Sequence, residues 1–298
     1  MKACLAEYEK EGYQDAKATS NEFAFKMMRQ GKVMEFSMSE KEQRSGGRPI
    51  ATPTVLTKAA LMLLEKPEAS IGKQCKNNVI VPGKNKLQEQ CECYKSFVTQ
   101  ASLQGFKQVY QLTEDQTKFS EMDNPRIFII YINTNKNLDP NVRRVQMKAV
   151  NMITNREHLV KRVPKQILDS HLRQYLNMQQ NGVKTTIGWP QEMCNFISTS
   201  IHMVSDEWMT YAYNKAYTNN QVRTAGLVHS DDSWVVIACN SIEDFKRFSI
   251  FRIIAKRLFC LKMNEKKFWG SKLIGELVSN CNINGNVHLC IAKTLGNS

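Results

Sequence analysis

Residues 226 to 239 read GLVHSDDSWVVIAC, with Asp231 and Asp232 side by side between two apolar runs. Adjacent negative charges at the tip of a hairpin repel unless water or a cation screens them. A third acid, Asp115, lies just past the end of the alternating stretch FKQVYQL (106–112), which reads as a strand. If that strand neighbours the hairpin, the three carboxylates converge at one edge of a sheet. Hard oxygen donors of this kind suit Mg2+ or Mn2+. A pair of such ions about 3.5–4 Å apart activates an attacking oxygen and stabilises a leaving pyrophosphate. Taken alone, an Asp-Asp dipeptide is more often a solvated surface turn.

The elements around these acids follow from periodicity and punctuation. Residues 193–217 read as a long helix leading into the hairpin. After it, Ser241 is a plausible N-cap with Asp244 three residues on. Ile242, Phe245, Phe248, Phe251, Ile254, Leu258 and Leu261 then form an apolar stripe. Lys246, Arg247, Lys256 and Arg257 lie largely off it, as a solvated basic face. Earlier in the chain, 38–53 reads as loop, broken by Gly46, Gly47, Pro49 and Pro53. Thr54–Glu65 predicts a short helix ending before Pro67. Residues 72–86, with Lys73, Lys76, Lys84 and Lys86, predict an exposed loop. Asn124 is expected to cap a helix starting at Pro125. Residues 140–180 read as helical and basic, and 182–190 as a Gly/Pro-bounded loop. This order predicts an α+β fold in which helices cover one face of a small antiparallel sheet.

The chain has 298 residues, 42% hydrophobic and 23% charged, enough for a large core in one or two domains. Lys plus Arg number 41 against 28 Asp plus Glu, a formal net charge of +13. Such a surplus favours a polyanionic partner, most often nucleic acid. No apolar run approaches the length of a membrane span, and the first 20 residues carry charges without a hydrophobic segment. The nine cysteines are scattered, with Cys91 and Cys93 the close pair. That favours a reducing compartment over a disulfide framework or a zinc finger.

Six segments resemble motifs of viral RNA-dependent RNA polymerases of the orthomyxovirus group. GLVHSDDSWVVIA resembles motif C in its Ser-Asp-Asp form. LTEDQTKFSEMDNPRIF (112–128) resembles motif A, with Asp-x-Thr-Lys, an aromatic, then Asn-Pro-Arg. RPIATP (48–53) resembles the end of motif F, CNFISTS (194–200) motif B, MNEKKFW (263–269) motif D, and GELVSNCNINGN (275–286) motif E. They occur in the family's order across about residues 32–290. The resemblance implies the fingers–palm core of the catalytic subunit of a divergent member, with a small antiparallel palm sheet. It implies fingers with motif F over 1–105, palm with motif A over 106–135, a helical fingers insertion over 136–185, and palm with motifs B to E over 186–298. The family's subunit is longer, so the chain reads as a partial sequence or isolated core.

The family's roles transfer by position. Asp115 and Asp231 would be the principal metal ligands, Asp232 assisting, with Mg2+ or Mn2+ as cofactor. Lys118 would lie near the incoming nucleotide. Lys41, Arg44 and Arg48 would hold its triphosphate, since guanidinium forks suit phosphate oxygens. Asn195, Ser198 and Thr199 would face ribose and template. Lys266 or Lys267 would protonate pyrophosphate. The implied partners are viral RNA template and product, nucleoside triphosphates, the other subunits of a heterotrimer and nucleoprotein-coated RNA, with no membrane. The implied setting is intracellular, in the host nucleus, and the virion.

The chain departs from the family pattern at Ser45, Gly46 and Gly47, where basic residues are usual, at Phe119 for Trp, and at Glu192 for Gly. Two rivals follow: a degenerate polymerase-like module that binds RNA or partner subunits without catalysis, and a reverse transcriptase. Glu192 and the sparse motif F favour the first. Ser230 and Asp-x-Thr-Lys argue against the second.

Overall fold

A computed structural model describes residues 16–41, 48–81, 85–116, 120, 124–160, 165–179, 181–190 and 193–289. The fold is mixed α+β with several sheets. In chain order its main elements are α1 (Ala16–Arg29), β1 (Glu35–Lys41), β2 (Arg48–Pro53), α2 (Val55–Gln74), α3 (Lys86–Leu103), β3 (Gln108–Glu114), α4 (Arg126–Thr134), α5 (Pro140–Ile153) and β4 (Arg156–Leu159). There follow β5 (Leu176–Asn177), β6 (Gly182–Thr185), α6 (Asn195–Ala216), β7 (Arg223–His229), β8 (Asp232–Cys239), α7 (Ile242–Lys256), β9 (Trp269–Ser271), β10 (Ile274–Leu277), β11 (Asn280–Ile283) and β12 (Asn286–Leu289). They form two compact units, Met1–Pro67 with Ser120–Cys194, and Glu68–Phe119 with Asn195–Ser298.

The first unit holds a five-stranded sheet in the order β2-β1-β4-β6-β5. Met34, Phe36, Phe128, Ile132, Val150, Ile153 and Trp189 are buried in it. RPIATP, expected as loop, is β2, paired antiparallel with β1. Its prolines are tolerated because β2 is an edge strand, where a missing N–H leaves no ladder bond unmade. The helical reading of 140–180 holds only to Ile153. Beyond it, Arg156 is buried, and its guanidinium donates to the carbonyls of Ile153 and Ile187 at 3.0 and 2.7 Å. This charge, in a stretch expected to be helical, instead satisfies carbonyls beside β4. Residues 182–185, expected as loop, are β6, antiparallel to β4. The helix expected from Pro125 begins at Arg126, with Pro125 rather than Asn124 at the N-cap position; the Asn124 side chain still accepts the Arg126 N–H at 3.1 Å. Helix α2 begins after Thr54, whose hydroxyl accepts from the Thr57 N–H at 3.4 Å. It does not stop before Pro67 but runs through it to Gln74.

The second unit is built on the antiparallel sheet β7-β8-β3-β9. Strand β8 explains the uninterrupted run WVVIAC. Trp234, Val236 and Ala238 pack with Tyr94, Phe97 and Ala101 of α3. Val235, Ile237 and Cys239 pack on the opposite face with Tyr213 of α6 and Phe245 and Phe248 of α7. The sheet therefore carries helices on both faces rather than the one expected. A strand buried on both sides reads as continuous apolar sequence instead of alternation. Fully burying each such aliphatic side chain contributes about 1.5–3 kcal/mol. The segment 72–86 is not simply an exposed loop. Asn78, Val79 and Val81 are buried, and Val79 N–H donates to the Val228 carbonyl at 3.1 Å. Strands β10, β11 and β12 form an antiparallel meander.

Candidate active site

The register between β3 and β8 pairs Glu114 with Ser233, which brings Asp115 to the same end of the sheet as Asp232. His229 pairs with Asp232 across the hairpin, leaving Ser230 and Asp231 as a two-residue turn. Ser230 has φ +58°. Turns of this kind favour glycine at that place, and a left-handed non-glycine residue costs about 1–2 kcal/mol. The surroundings over-determine it. Thr199 Oγ1 accepts the Ser230 N–H at 3.0 Å, Asn195 Oδ1 accepts its hydroxyl at 3.3 Å, and His202 Nδ1 contacts its carbonyl at 3.1 Å. Asn195, Thr199 and His202 fall at i, i+4 and i+7, one face of α6.

The aspartates meet as expected from the sequence. Asp232 is pushed up to about 7 by burial first, then by the charges of Asp231 and Asp115 and a hydrogen bond with Asp115, against the pull of Lys267. Asp115 is held by Asn264, whose backbone N–H donates to the Asp115 carbonyl and whose Nδ2 donates to Oδ2, both at 2.9 Å. The Lys267 ammonium stands 3.2 Å from the same Oδ2, on a side chain 62% exposed. Lys266 is exposed, and its backbone N–H donates to Asn264 Oδ1 at 3.2 Å. On another side, Lys86 Nζ lies 2.8 Å from His229 Nε2. Burial lowers the Lys86 pKa while Asp232 opposes that shift.

One step inward lies a second charged group. Glu114 takes two hydrogen bonds from Arg252, at 2.8 and 2.7 Å, one from Lys256 at 2.5 Å and one from the Ser233 hydroxyl at 2.7 Å. Arg252 also binds Asp206 at 2.8 Å, and Lys256 Nζ is 2.7 Å from His202 Nε2. Burial alone would raise the Glu114 pKa, but Arg252 and then Lys256 hold it well below the carboxylate range. Arg252 and Lys256 are fully buried, whereas Ile254 and Leu258 are 64% and 72% exposed. Lys246, Arg247 and Arg257 are exposed as expected, but Lys256, with Arg252, turns inward to Glu114, and the apolar stripe fails at Ile254 and Leu258.

Among the described residues, Glu114, His202 and Asp206 are the one group of three His, Cys, Asp or Glu whose ligand atoms lie within 4.8 Å of one another. Compactness does not make the inner group a metal site. Two basic side chains already occupy its carboxylates, and a cation there would have to displace a buried ammonium. The turn fits a hard divalent ion better by chemistry. It offers oxygen donors only, and Asp232 is raised by burial first and then by the charges of Asp231 and Asp115.

Ser198 and Thr199 are buried, their hydroxyls donating to the Asn195 carbonyl at 3.1 and 2.7 Å, and Asn195 is half-buried. Lys41 and Arg48 pair at the end of the β1–β2 ladder in the first unit. Arg44, Ser45, Gly46, Gly47, Lys118, Phe119 and Glu192 lie outside the described residues. Cys91 donates its thiol to the Gly285 carbonyl at 2.9 Å, burial pushes the Cys93 thiol up to about 11, and both are free. Among the described residues no helix is long and apolar enough to cross a membrane. Sequence reasoning missed Glu114, His202, Arg252, Lys256 and Asn264. The available signal was Arg252 and Lys256 at i, i+4 on a helix following an acidic strand end. Searches of protein-family models and of curated proteins return no match to this chain.

Proposed function

We propose that this chain is the fingers–palm core of an orthomyxovirus-like RNA-dependent RNA polymerase, adding ribonucleotides on a viral RNA template. The observation that carries the reading is the meeting of Asp115 with Asp231 and Asp232 at one end of paired strands, with Asp232 held near 7. Segments resembling four motifs contribute to that place: Asp115 from A, Asn195 and Thr199 from B, the Ser230–Asp232 turn from C, and Asn264 and Lys267 from D. Residues 68–119 with 195–298 are then the palm, and 1–67 with 120–194 the fingers.

In this reading Asp115 and Asp231 are the principal ligands of Mg2+ or Mn2+, with Asp232 assisting. When bound, such ions lower the pKa of the attacking hydroxyl and neutralise charge on the departing pyrophosphate. Asn264 orients Asp115 for this. Lys267, whose ammonium is already beside Asp115, holds the proton for the leaving group, and the exposed Lys266 is its alternative. Asn195 meets the ribose, while Thr199 serves from inside the fold by holding the Ser230 N–H and Ser198 is buried against the Asn195 carbonyl. By the resemblance, Lys41, Arg44 and Arg48 would take the triphosphate and Lys118 would lie near the incoming nucleotide. The net charge of +13 supports binding of template and product RNA. The partners are the other polymerase subunits and nucleoprotein-coated RNA, in the host nucleus and the virion.

The Lys267 ammonium, standing 3.2 Å from Asp115 Oδ2 where a cation would bind, favours a second reading, an RNA-binding module without catalysis. Nucleotide addition on an RNA template, with Mg2+ and the partner subunits present, separates the two. The polymerase reading expects ribonucleotide addition that falls by several orders of magnitude in Asp115→Asn or Asp231→Asn, with RNA still bound. RNA binding without addition by the unaltered chain selects the second reading. Preference for deoxyribonucleotides would indicate a reverse transcriptase.

A further inference from the structure

We propose that His202, a residue of α6 beyond the motif-like segment 194–200, is the positioning residue that orients the Ser230–Asp231 peptide, and that Lys256 fixes the imidazole in the form that does so. The inference rests on the reading of Asp231 as a cation ligand, but its geometry is independent of it.

The Ser230 carbonyl belongs to the peptide unit that leads into Asp231. In two-residue hairpin turns the orientation of that central peptide separates one turn type from the other, and with it the direction in which the second residue leaves the turn. Thr199 and Asn195 hold the N–H and hydroxyl of Ser230, which fixes the entry to the turn. Its carbonyl is met by His202 Nδ1 at 3.1 Å. A carbonyl only accepts, so Nδ1 must carry the proton. The other ring nitrogen agrees: Nε2 lies 2.7 Å from the Lys256 ammonium, which only donates. His202 is fully buried and held neutral, its pKa lowered to about 4 by burial and then by Lys256. A single neutral tautomer therefore satisfies both contacts.

Lys256 donates in turn to Glu114 Oε2 at 2.5 Å, and Glu114 immediately precedes Asp115. One buried ammonium thus ties the segment carrying Asp115 to the imidazole that orients the segment carrying Asp231. The two carboxylates come from sequence positions far apart, and this chain of contacts fixes their backbones relative to each other behind the site. Residues that orient cation ligands in this way typically change metal affinity about 10–100-fold when replaced.

The test compares the chain with His202→Phe, which keeps a ring but no donor, and His202→Asn, whose amide donates from near the Nδ1 position. Amide hydrogen exchange at Ser230 and Asp232 reads the turn, and the Val236 amide in the core of β8 reads the fold. Mn2+ affinity is measured on the same samples. In His202→Phe the turn amides should exchange up to about tenfold faster and Mn2+ affinity should fall about 10–100-fold, with Val236 unchanged. His202→Asn should restore most of both. Wild-type exchange at the turn in His202→Phe, failure of His202→Asn to restore it, or equal loosening at Val236 would each overturn the proposal. If the unaltered chain binds no Mn2+, the cation reading of the aspartates fails, while turn exchange still decides the role of His202.

Discussion

Glu114 and Asp115 are neighbours in the chain and opposites in circumstance. Strand alternation sends Glu114 into the interior, where Arg252, Lys256 and Ser233 supply its hydrogen bonds and hold it ionised. Asp115, itself buried, turns toward the hairpin tip, where Asn264, the largely exposed Lys267 and Asp232 meet it. A carboxylate taken out of water must be paired or it is neutralised. The inner group is paired, two acids against two bases around a neutral imidazole. In the outer group Lys267 and Asn264 meet Asp115, while Asp232 is raised by burial and then by the charges of Asp231 and Asp115. The difference separates charge used to build the fold from charge kept available for a ligand.

The largest expected effect breaks function without breaking the fold. Asp231→Asn should reduce nucleotide addition by several orders of magnitude in the assembled polymerase, while its urea midpoint moves by less than the equivalent of about 1 kcal/mol. The inner site should behave the other way. Glu114→Gln leaves Arg252 and Lys256 short of a buried partner, and equilibrium unfolding should show a loss of about 3–5 kcal/mol. Comparable stability losses in both variants would erase the distinction between the two groups.

Acid should distinguish them by sign. His202 and His229 are each lowered to about 4, mainly by burial. Their unfolded forms take up protons near 6.5 while the folded forms do not, so stability should fall as pH drops from about 6.5 to about 4. Glu114, lowered as well, contributes stability present above its unfolded pKa and lost as pH falls through its folded pKa. Asp232 runs the opposite way. Its folded pKa is raised, so its contribution is present below the unfolded value and lost as pH rises through about 7. The two windows overlap, so urea unfolding at a series of pH values between about 7 and about 4 should show an acid decline that is steeper in Asp232→Asn, where the opposing contribution is gone. The smallest effect belongs to Lys267→Ala, an exposed pair whose loss should change stability by about 0–1 kcal/mol in the same assay.

The site was more legible in the sequence than its support. Turn chemistry and strand alternation are local, so the hairpin carrying Asp231 and Asp232, the strand ending before Asp115, the α6 helix and the Ser241 cap could be read residue by residue, although the turn itself is Ser230–Asp231 and Asp232 opens β8. Ser241 does accept from the Asp244 N–H, at 3.1 Å. The inner network is non-local. Arg252 and Lys256 look like a basic helix face until β3 is placed opposite them, and His202 looks like one polar residue in a mixed helix. Pro49 and Pro53 suggested loop because the sequence does not say which strand is an edge. Pro67 suggested a helix end because tertiary packing, which can carry a helix past a missing N–H, is invisible locally.

The central claim is that a divalent cation belongs at Asp115, Asp231 and Asp232 and not at Glu114, His202 and Asp206. Calorimetric titration of Mn2+ into the chain tests it directly, using Asp231→Asn for the outer group and Asp206→Asn for the inner. The account predicts that the unaltered chain and Asp206→Asn bind Mn2+ with similar affinity and that Asp231→Asn loses binding. Binding that survives Asp231→Asn and disappears in Asp206→Asn would contradict it and move the ion into the buried group.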